Sequence, residues 1–314
     1  MHLPDFLQTD RPFVPLNLGG NSFGWTADEE ASFAVLDRFV NGGGSFVDTA
    51  DAYSSWVPGH TGGESERIIG AWLAQRGSRE RVQIATKVAK KPDRRGLARE
   101  TVHAAVEESR ERLGVAVIDL CYAHADDDEV PVEDQVETFH ALVETGHIRA
   151  VGLSNYSAGR LREWVAAAHR LGLTPPVAIQ PRYTLVSRSA YEQDLAPVVA
   201  DLGLAVFSFP ALASGFLTGK YRSPEDFEGA ARGSAARRYA EAGGLRVVDA
   251  LVRVGQRHDV EPAAVVIAWL LARGVTAPIA SASRPEQLDP LLAGTTLALT
   301  AEDLTELDGA SEGF

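Results

Sequence analysis

Eight short apolar runs, each followed by a segment of helical character, limit the fold of this 314-residue chain more than any other sequence feature. The runs are short, and most are rich in Val, Ile or Phe, as strands buried on both faces of a sheet are. Strands that alternate with helices indicate a parallel sheet. The eight predicted strands are residues 16–19, 46–48, 82–87, 117–122, 148–154, 177–180, 204–208 and 278–281.

Helical segments follow the runs, and several end at a glycine, which suits a helix C-terminus. Thr26 and Glu29 have the spacing of a capping box at the start of the first helix. Two helices beyond the strand–helix repeats are predicted at 245–257 and 301–309. The eight repeat helices are predicted at 26–41, 64–75, 97–113, 132–145, 157–171, 190–202, 262–273 and 285–293.

The parallel sheet has two possible arrangements, a closed (β/α)8 barrel or an open, doubly wound sheet. The glycines near the N-terminus do not have the Gly-x-Gly-x-x-Gly spacing of a doubly wound dinucleotide fold, which favours the barrel. No low-complexity linker divides the chain. We therefore predict an α/β protein with one domain over residues 1–314. It is a TIM barrel with two extra helices, and its long loops, 50–63 and 221–244, lie at the C-terminal face.

Charge, hydropathy and cysteine content indicate which partners and which cellular location are expected. The formal net charge of −13 disfavours nucleic acid and anionic membranes. The longest apolar stretch, 263–272, is about half of what spans a bilayer and predicts a buried helix. Cys121 is the single cysteine, so no intrachain disulfide is possible, and no signal peptide is recognisable in residues 1–10. A cytoplasmic location is expected, and the sequence indicates no oligomeric state.

Polar side chains stand where the predicted strands end, which is where a parallel barrel places its active site. Asp48 ends the second strand with Tyr53 in the loop beyond, Lys87 ends the third, and His124 follows the fourth. Each residue alone has an ordinary structural interpretation, such as a strand-end cap, an ion-paired lysine or a satisfied histidine. Their joint placement on consecutive strand ends is what predicts a catalytic site.

The four side chains together suit the reduction of a carbonyl group. A tyrosine hydroxyl is a weak acid at neutral pH, and a neighbouring lysine is expected to lower its pKa. Asp48 can hold Lys87 in place, and His124 can orient the substrate oxygen. None of these groups transfers hydride and no metal is indicated, so a redox cofactor must supply the hydride.

Six segments, in register over residues 16 to about 310, resemble the aldo-keto reductase superfamily, in particular its long-chain bacterial members. They are FVDTADAY, SERIIG, IATKV, DLCYAH, GHIRAVGLSNYS and ASGFLTGKYR. The resemblance implies that Asp48, Tyr53, Lys87 and His124 are the catalytic residues, with Tyr53 as the proton donor. It also implies NADPH, or less often NADH, lying across the barrel mouth.

The resemblance assigns further residues to the cofactor, and a substrate pocket is predicted beside them. Ser154, Asn155 and Gln180 match contacts to the nicotinamide carboxamide, and Tyr183 matches the ring that stacks on the nicotinamide. The loop over the pyrophosphate matches Leu212, Ser214, Gly215, Leu217 and Lys220. A substrate pocket beside Tyr53 and His124 would include Trp25, Trp56 and Phe216.

Residues 278–288 resemble the adenosine-phosphate segment of the same family. Ser283 and Glu286 have capping-box spacing, and a helix N-terminus favours an anion. Ser281 and Arg284 would suit a 2′-phosphate, and Gln287 matches an adenine contact. Plain helix capping with a solvated Arg284 is the alternative.

Two segments depart from the family pattern. Phe209–Pro210–Ala211 stands where a Ser-Pro pair is usual, which removes one hydroxyl contact to the cofactor. Residues 126–128 are three aspartates where a proline usually follows the histidine segment, and we interpret them as a solvated turn.

Three functions remain in view. The leading hypothesis is NADPH-dependent reduction of a small aldehyde, ketone or sugar-derived carbonyl. The second is a non-catalytic NADPH-binding redox sensor or partner subunit, like the channel β-subunits of the superfamily. A barrel hydrolase is a remote third, because no His-x-His or clustered acid pattern stands at the strand ends.

Overall fold

The computed structural model describes residues 3–8 and 12–314, and each of the eight predicted runs contains or overlaps one β-strand. The strands run parallel, and Asn17 to Gly19 of the first pairs with Phe46 to Asp48 of the second. The prediction of eight strands is therefore confirmed. They are β1 Asn17–Gly19, β2 Phe46–Asp48, β3 Gln83–Val88, β4 Leu120–Ala123, β5 Val151–Ser154, β6 Ala178–Gln180, β7 Ala205–Val206 and β8 Ile279–Ala280.

The sheet closes on itself. Its strand order is β7-β6-β5-β4-β3-β2-β1-β8, so each strand lies beside its sequence neighbours and β8 lies beside β1. Backbone hydrogen bonds join the two remaining edges. Thr276 N–H donates to the Val206 carbonyl at 2.9 Å, and Ile279 N–H donates to the Ser208 carbonyl at 2.9 Å. The chain is thus a (β/α)8 TIM barrel, as predicted, rather than an open sheet.

The helices surround the barrel. The two predicted extra helices are present as α8 and α11. The structure adds α7 inside the segment predicted as the long loop 221–244. The helices are α1 Glu29–Asn41, α2 Glu64–Arg76, α3 Arg99–Leu113, α4 Val132–Glu144, α5 Ala158–Leu171, α6 Ala196–Leu202, α7 Gly233–Glu241, α8 Leu245–His258, α9 Pro262–Ala272, α10 Leu288–Gly294 and α11 Ala301–Ala310.

Helix starts differ from the predictions where a different side chain takes the cap. The capping box of Thr26 and Glu29 is wrong, because α1 begins at Glu29 and Asp28 accepts the Ala31 N–H. The Thr26 hydroxyl bonds Ser283 instead, at 2.7 Å. The segment 190–202, predicted as one helix, contains a π-helical turn followed by α6. The segment 285–293, also predicted as one helix, contains a 3-10 turn followed by α10.

The barrel interior is filled by side chains rather than left as a channel. Phe46, Leu120, Tyr122 and Phe207 belong to its apolar cluster, and Phe6 packs edge-to-face on Phe46 at 5.7 Å. Because the interior is filled, a site is expected outside it, at the C-terminal ends of the strands, here called the mouth.

Burial elsewhere agrees with the sequence. Residues 263–270 of α9 are all buried, as predicted for that apolar stretch. Cys121 on β4 is fully buried, and burial raises the pKa of its thiol far above the usual range. None of the helices in the described part of the chain is long and apolar enough to cross a bilayer.

Candidate active site

The carboxylate, amine and phenol predicted from three strand-end positions meet at the mouth. Lys87 Nζ donates to Asp48 Oδ2 at 2.5 Å and to the Tyr53 hydroxyl at 2.8 Å. Its third bond goes to the Thr49 carbonyl at 2.8 Å. Lys87 and Asp48 have 0% exposure. The register of β2 and β3 makes this meeting possible, since Asp48 pairs with Ala85, two residues before Lys87.

Burial of Lys87 is compatible with folding because all three ammonium protons have acceptors. A buried ammonium without partners would be costly, whereas one paired with a carboxylate and bonded twice more is tolerated. Burial lowers the pKa of Lys87, although the negative charge of Asp48 opposes that shift. The lysine is therefore locked in one position beneath the tyrosine hydroxyl.

The pKa of Tyr53 shifts in the direction opposite to the one expected from its lysine neighbour. The surrounding protein removes the phenol from bulk water, and the Asp48 charge adds to this, so the pKa of Tyr53 is raised well above its usual range. Lys87 does not reverse the shift, because its charge is balanced by Asp48 at 2.5 Å. Tyr53 is thus a protonated phenol at neutral pH.

His124 completes the predicted set, with its ring 6.3 Å from the ring of Tyr53. Its backbone N–H donates to the Val88 carbonyl at 2.9 Å, and its Nδ1 is buried with no partner in the described part of the chain. Burial, followed by the charges of Lys87 and Lys90, lowers the pKa of the imidazole well below its usual value. A neutral imidazole faces the space beside Tyr53.

The three residues predicted to bind the nicotinamide carboxamide lie together beside this set. Ser154 Oγ donates to the Gln180 carbonyl at 3.1 Å, and Asn155 Nδ2 donates to the His124 carbonyl at 2.8 Å and to Ser154 Oγ at 3.1 Å. Gln180 Nε2 donates across the barrel to Asp48 Oδ1 at 2.9 Å. The two amides are therefore already bonded to predicted catalytic residues, Asn155 to His124 and Gln180 to Asp48, while the Ser154 hydroxyl joins Asn155 and Gln180.

Two aromatic residues predicted to face ligands are buried instead. Tyr183 is 1% exposed, its hydroxyl donates to Glu192 at 2.7 Å, and its ring lies 4.4 Å from that of Tyr191. Phe216 has 0% exposure and stacks on Tyr239 of α7 at 5.9 Å. The predicted roles of Tyr183 in nicotinamide stacking and of Phe216 in the substrate pocket are thus wrong.

The loop after β7 has an unusual backbone. Ser214 and Gly215 have left-handed φ values of 61° and 85°. A Cβ on Gly215 would lie 3.2 Å from the Lys220 ammonium, so this lysine rests against the loop backbone. Leu212 is partly buried. The predicted Leu217 contact needs correction, because its side chain is in the core and its N–H donates to the Leu212 carbonyl at 3.3 Å.

The segment after β8 also differs from its prediction. Ser283 is not a helix cap, since Arg284 occupies that position, and the Ser283 N–H donates to Gln287 Oε1 at 2.8 Å. Arg284 and Gln287 are exposed. Ser281 donates to Asn21 Oδ1 at 2.7 Å. The capping-box prediction is therefore wrong, while the residues still line one edge of the mouth.

Arg232 was not found from the sequence. It directly precedes α7, donates to Asn21 Oδ1 at 3.0 Å, and lies 5.1 Å from the ring of Trp25. Partial removal from water, followed by the charges of Arg232 and Arg284, lowers the pKa of Lys220, so the three cations lie near one another. The Ala- and Gly-rich sequence around Arg232 carries no motif that separates it from a surface arginine.

Two tryptophan rings lie beside Tyr53 and form an aromatic wall. The rings of Trp25 and Trp56 meet edge-on at 5.5 Å, and those of Tyr53 and Trp56 at 6.2 Å. Trp56 is 49% exposed, so its ring presents apolar surface to the solvent. Phe209, considered in the sequence only as a departure from a motif, is partly exposed at the end of β7. These rings give the mouth an apolar side.

Comparison with known proteins identifies the family of this barrel. The sequence model of the aldo/keto reductase family matches residues 15–312. The chain therefore belongs to the aldo/keto reductase family, an oxidoreductase family whose membership supports carbonyl reduction.

Three relatives show the same relationship over most of their lengths. The chain is 32% identical to "Uncharacterized oxidoreductase YrpG" of Bacillus subtilis, covering 95% of this chain and 92% of that protein. It is 30% identical to "Aldo-keto reductase str7" of Strobilurus tenacellus, covering 94% and 85%. It is 32% identical to "Aldo-keto reductase yakc [NADP(+)]" of Schizosaccharomyces pombe, covering 79% and 72%.

Proposed function

We propose that this protein reduces an aldehyde, ketone or sugar-derived carbonyl to an alcohol with NADPH, and that Tyr53 is the proton donor. The observation that carries the proposal is the bond of 2.8 Å from the buried Lys87 ammonium to the Tyr53 hydroxyl. A nicotinamide cofactor supplies hydride to the carbonyl carbon when it is bound. The residues of the chain then have to supply one proton to the carbonyl oxygen.

The Tyr53 phenol is suited to that proton transfer. Its raised pKa keeps the proton on the oxygen until an alkoxide forms beside it, and an alkoxide is a far stronger base than a phenolate. The phenolate left behind is stabilised by the Lys87 ammonium already bonded to it. The neutral imidazole of His124 can donate a hydrogen bond to the same carbonyl oxygen, which fixes the carbonyl and polarises it.

The residues around the mouth fit a phosphorylated dinucleotide. The charges of Arg232 and Arg284 both act on Lys220, in a chain whose net charge is −13. Such a local excess of cations favours an anionic ligand. Arg284 and Ser281 would take the 2′-phosphate, which is why we propose NADPH rather than NADH. The relative from Schizosaccharomyces pombe carries NADP(+) in its name, which supports this choice.

The other cofactor assignments rest on position. Ser154, Asn155 and Gln180 would receive the carboxamide, since they lie at the ends of β5 and β6 beside Asp48 and His124. Phe209 replaces Tyr183 as the proposed stacking ring, because it is the partly exposed aromatic side chain at the end of β7. Trp25 and Trp56 would contact the substrate.

The proposal is tested by following NADPH oxidation against a panel of aldehydes, ketones and keto-sugars, with wild type and Tyr53→Phe. We expect turnover by wild type and a loss of about 10²- to 10⁴-fold in Tyr53→Phe, with NADPH affinity nearly unchanged, because only the proton donor is removed. Tyr156→Phe is the matched control. It removes a buried hydroxyl that bonds Gln135 of α4 rather than a predicted site residue.

Two results would contradict the proposal. If Tyr53→Phe kept wild-type turnover, Tyr53 would not be the proton donor. If wild type bound NADPH but reduced none of the carbonyls, the non-catalytic sensor or partner-subunit role would take its place.

A further inference from the structure

The Asp48 carboxylate is held on both of its oxygens, from opposite sides of the barrel. On β2, Asp48 Oδ2 accepts from Lys87 at 2.5 Å and from the Tyr53 hydroxyl at 3.3 Å. Asp48 Oδ1 accepts from Gln180 Nε2 at 2.9 Å, although Gln180 lies on β6. The bond therefore joins the strand of the predicted carboxamide contact to the strand of the catalytic carboxylate.

The orientation of the Gln180 amide follows from its partner. A carboxylate paired with an ammonium accepts hydrogen bonds and donates none, so the NH₂ side of the amide faces Asp48. The amide oxygen of Gln180 must then point away from Asp48. The residue itself is 2% exposed, and its backbone carbonyl is fixed by the Ser154 hydroxyl at 3.1 Å. Its side chain therefore has one favoured position.

We propose that Gln180, besides the carboxamide contact already proposed for it, is a positioning residue of the reaction, whose amide nitrogen fixes Asp48, and through it Lys87 and Tyr53. The inference rests on the proposed function and goes beyond a cofactor contact. One side chain aligns the hydride donor and the proton donor, because each binds a different end of the same amide.

This arrangement makes the two halves of the reaction dependent on each other. A carboxamide NH₂ bonded to the Gln180 oxygen holds the amide in the orientation that Asp48 requires. In turn, Asp48 keeps Lys87 beneath the Tyr53 hydroxyl. Removing the Gln180 donor leaves one buried oxygen of Asp48 unpaired, and the position of Lys87 is then less constrained.

Gln180→Glu tests the proposal, because it keeps an oxygen for the carboxamide and makes the bond to Asp48 depend on pH. The introduced carboxyl lies against Asp48, so its pKa is raised. Protonated, it donates to Asp48 as the amide does; ionised, it repels Asp48. The other titratable groups facing this point are Lys87, Tyr53 and Tyr122, and burial raises the pKa of Tyr122 well above its usual range.

We expect kcat of Gln180→Glu to fall roughly tenfold to a hundredfold at alkaline pH, the value of one hydrogen bond to a charged group, and to recover as the pH is lowered. The affinity of the apoprotein for NADPH, measured by fluorescence, should change by less than about tenfold, because an acceptor for the carboxamide remains. Gln83→Glu, the same change in a buried amide at the opposite end of β3, should keep the wild-type pH profile of kcat.

A wild-type pH profile of kcat in Gln180→Glu, with only NADPH affinity altered, would overturn the inference. If Gln180→Glu does not fold, Gln180→Met replaces it, and an unchanged kcat at saturating NADPH would overturn the inference equally. Failure of the proposed function is a separate result, since it appears as a lack of turnover by wild type or as full activity of Tyr53→Phe.

Discussion

The two sides of the barrel mouth are built differently. On one side, formed by the ends of strands β2 to β6 and here called the β2–β6 side, Asp48, Lys87 and Gln180 are at most 2% exposed, and Lys87 and Gln180 both bond Asp48. On the β7–β8 side, Lys220 and Arg284 are exposed, and the loop after β7 is shaped by left-handed backbone. The first side depends on packed strand ends, and the second on loop backbone and long surface side chains.

This difference separates two requirements of one reaction. Proton transfer needs donor and acceptor within bonding distance, which buried and mutually bonded groups provide. Phosphate binding needs positive charge near the ligand and tolerates side chains that are ordered only on binding. We therefore expect substitutions on the β2–β6 side to lower kcat and stability, and those on the β7–β8 side to lower cofactor affinity alone.

The largest expected difference between the two sides is that between Lys87→Met and Lys220→Met. Lys87→Met leaves the buried Asp48 carboxylate without its counter-ion, so we expect a loss of about 3–5 kcal/mol in the free energy of unfolding. We also expect kcat to fall by about 10²- to 10⁴-fold. Lys220→Met should change the free energy of unfolding by less than about 0.5 kcal/mol while raising the NADPH Kd.

Urea denaturation measures the free energy of unfolding of both variants, and steady-state kinetics measures their kcat. Equal losses of stability in Lys87→Met and Lys220→Met would remove the distinction between the two sides.

Arg284→Ala tests whether the β7–β8 side recognises the 2′-phosphate, and its expected effect is smaller. Loss of a charged contact to the 2′-phosphate should raise the NADPH Kd roughly tenfold to a hundredfold. The NADH Kd, measured by the same fluorescence titration, should change less than about threefold, because NADH lacks that phosphate. Arg162→Ala, at an exposed arginine of α5 that pairs with Asp201, is the control. Equal losses for both cofactors would show that Arg284 does not recognise the 2′-phosphate.

The smallest expected effect concerns His124 on the β2–β6 side. Because its pKa is depressed in the folded protein, the unfolded chain binds a proton near pH 6.5 that the folded chain does not. The contribution of neutral His124 to stability is therefore complete above about pH 6.5 and is lost as the pH falls below it.

Urea denaturation of wild type and His124→Gln measures this contribution. Between about pH 7.5 and 5.5, wild type should lose about 1 kcal/mol more stability than the variant. Identical losses would mean that His124 is protonated as readily in the folded protein as in the unfolded chain.

The sequence predicted the site best where a polar residue stands at the end of a buried strand. Asp48 and Lys87 follow apolar runs on neighbouring strands, so the barrel topology alone places them side by side. Their contacts with Tyr53 then depend on only a few residues of loop. The same logic located Ser154 and Gln180 at the ends of β5 and β6.

Contacts between distant segments limited the rest of the prediction. Tyr183 and Phe216 match motifs, but α9 and α7 supply the rings of Trp269 and Tyr239 that enclose them. The role of Arg232 depends on its contact with Asn21, 211 residues away in the sequence. The pKa of Tyr53 was given the wrong direction because burial outweighs the neighbouring charge, and burial is a property of the folded chain.

The single thiol of the chain has a practical consequence. Cys121 sits in the barrel wall with 0% exposure, and its high pKa suppresses the reactive thiolate. An alkylating reagent can attach to it only after the packing between β4 and the surrounding helices opens. The rate of labelling under native conditions therefore reports local opening around Cys121, without an engineered probe.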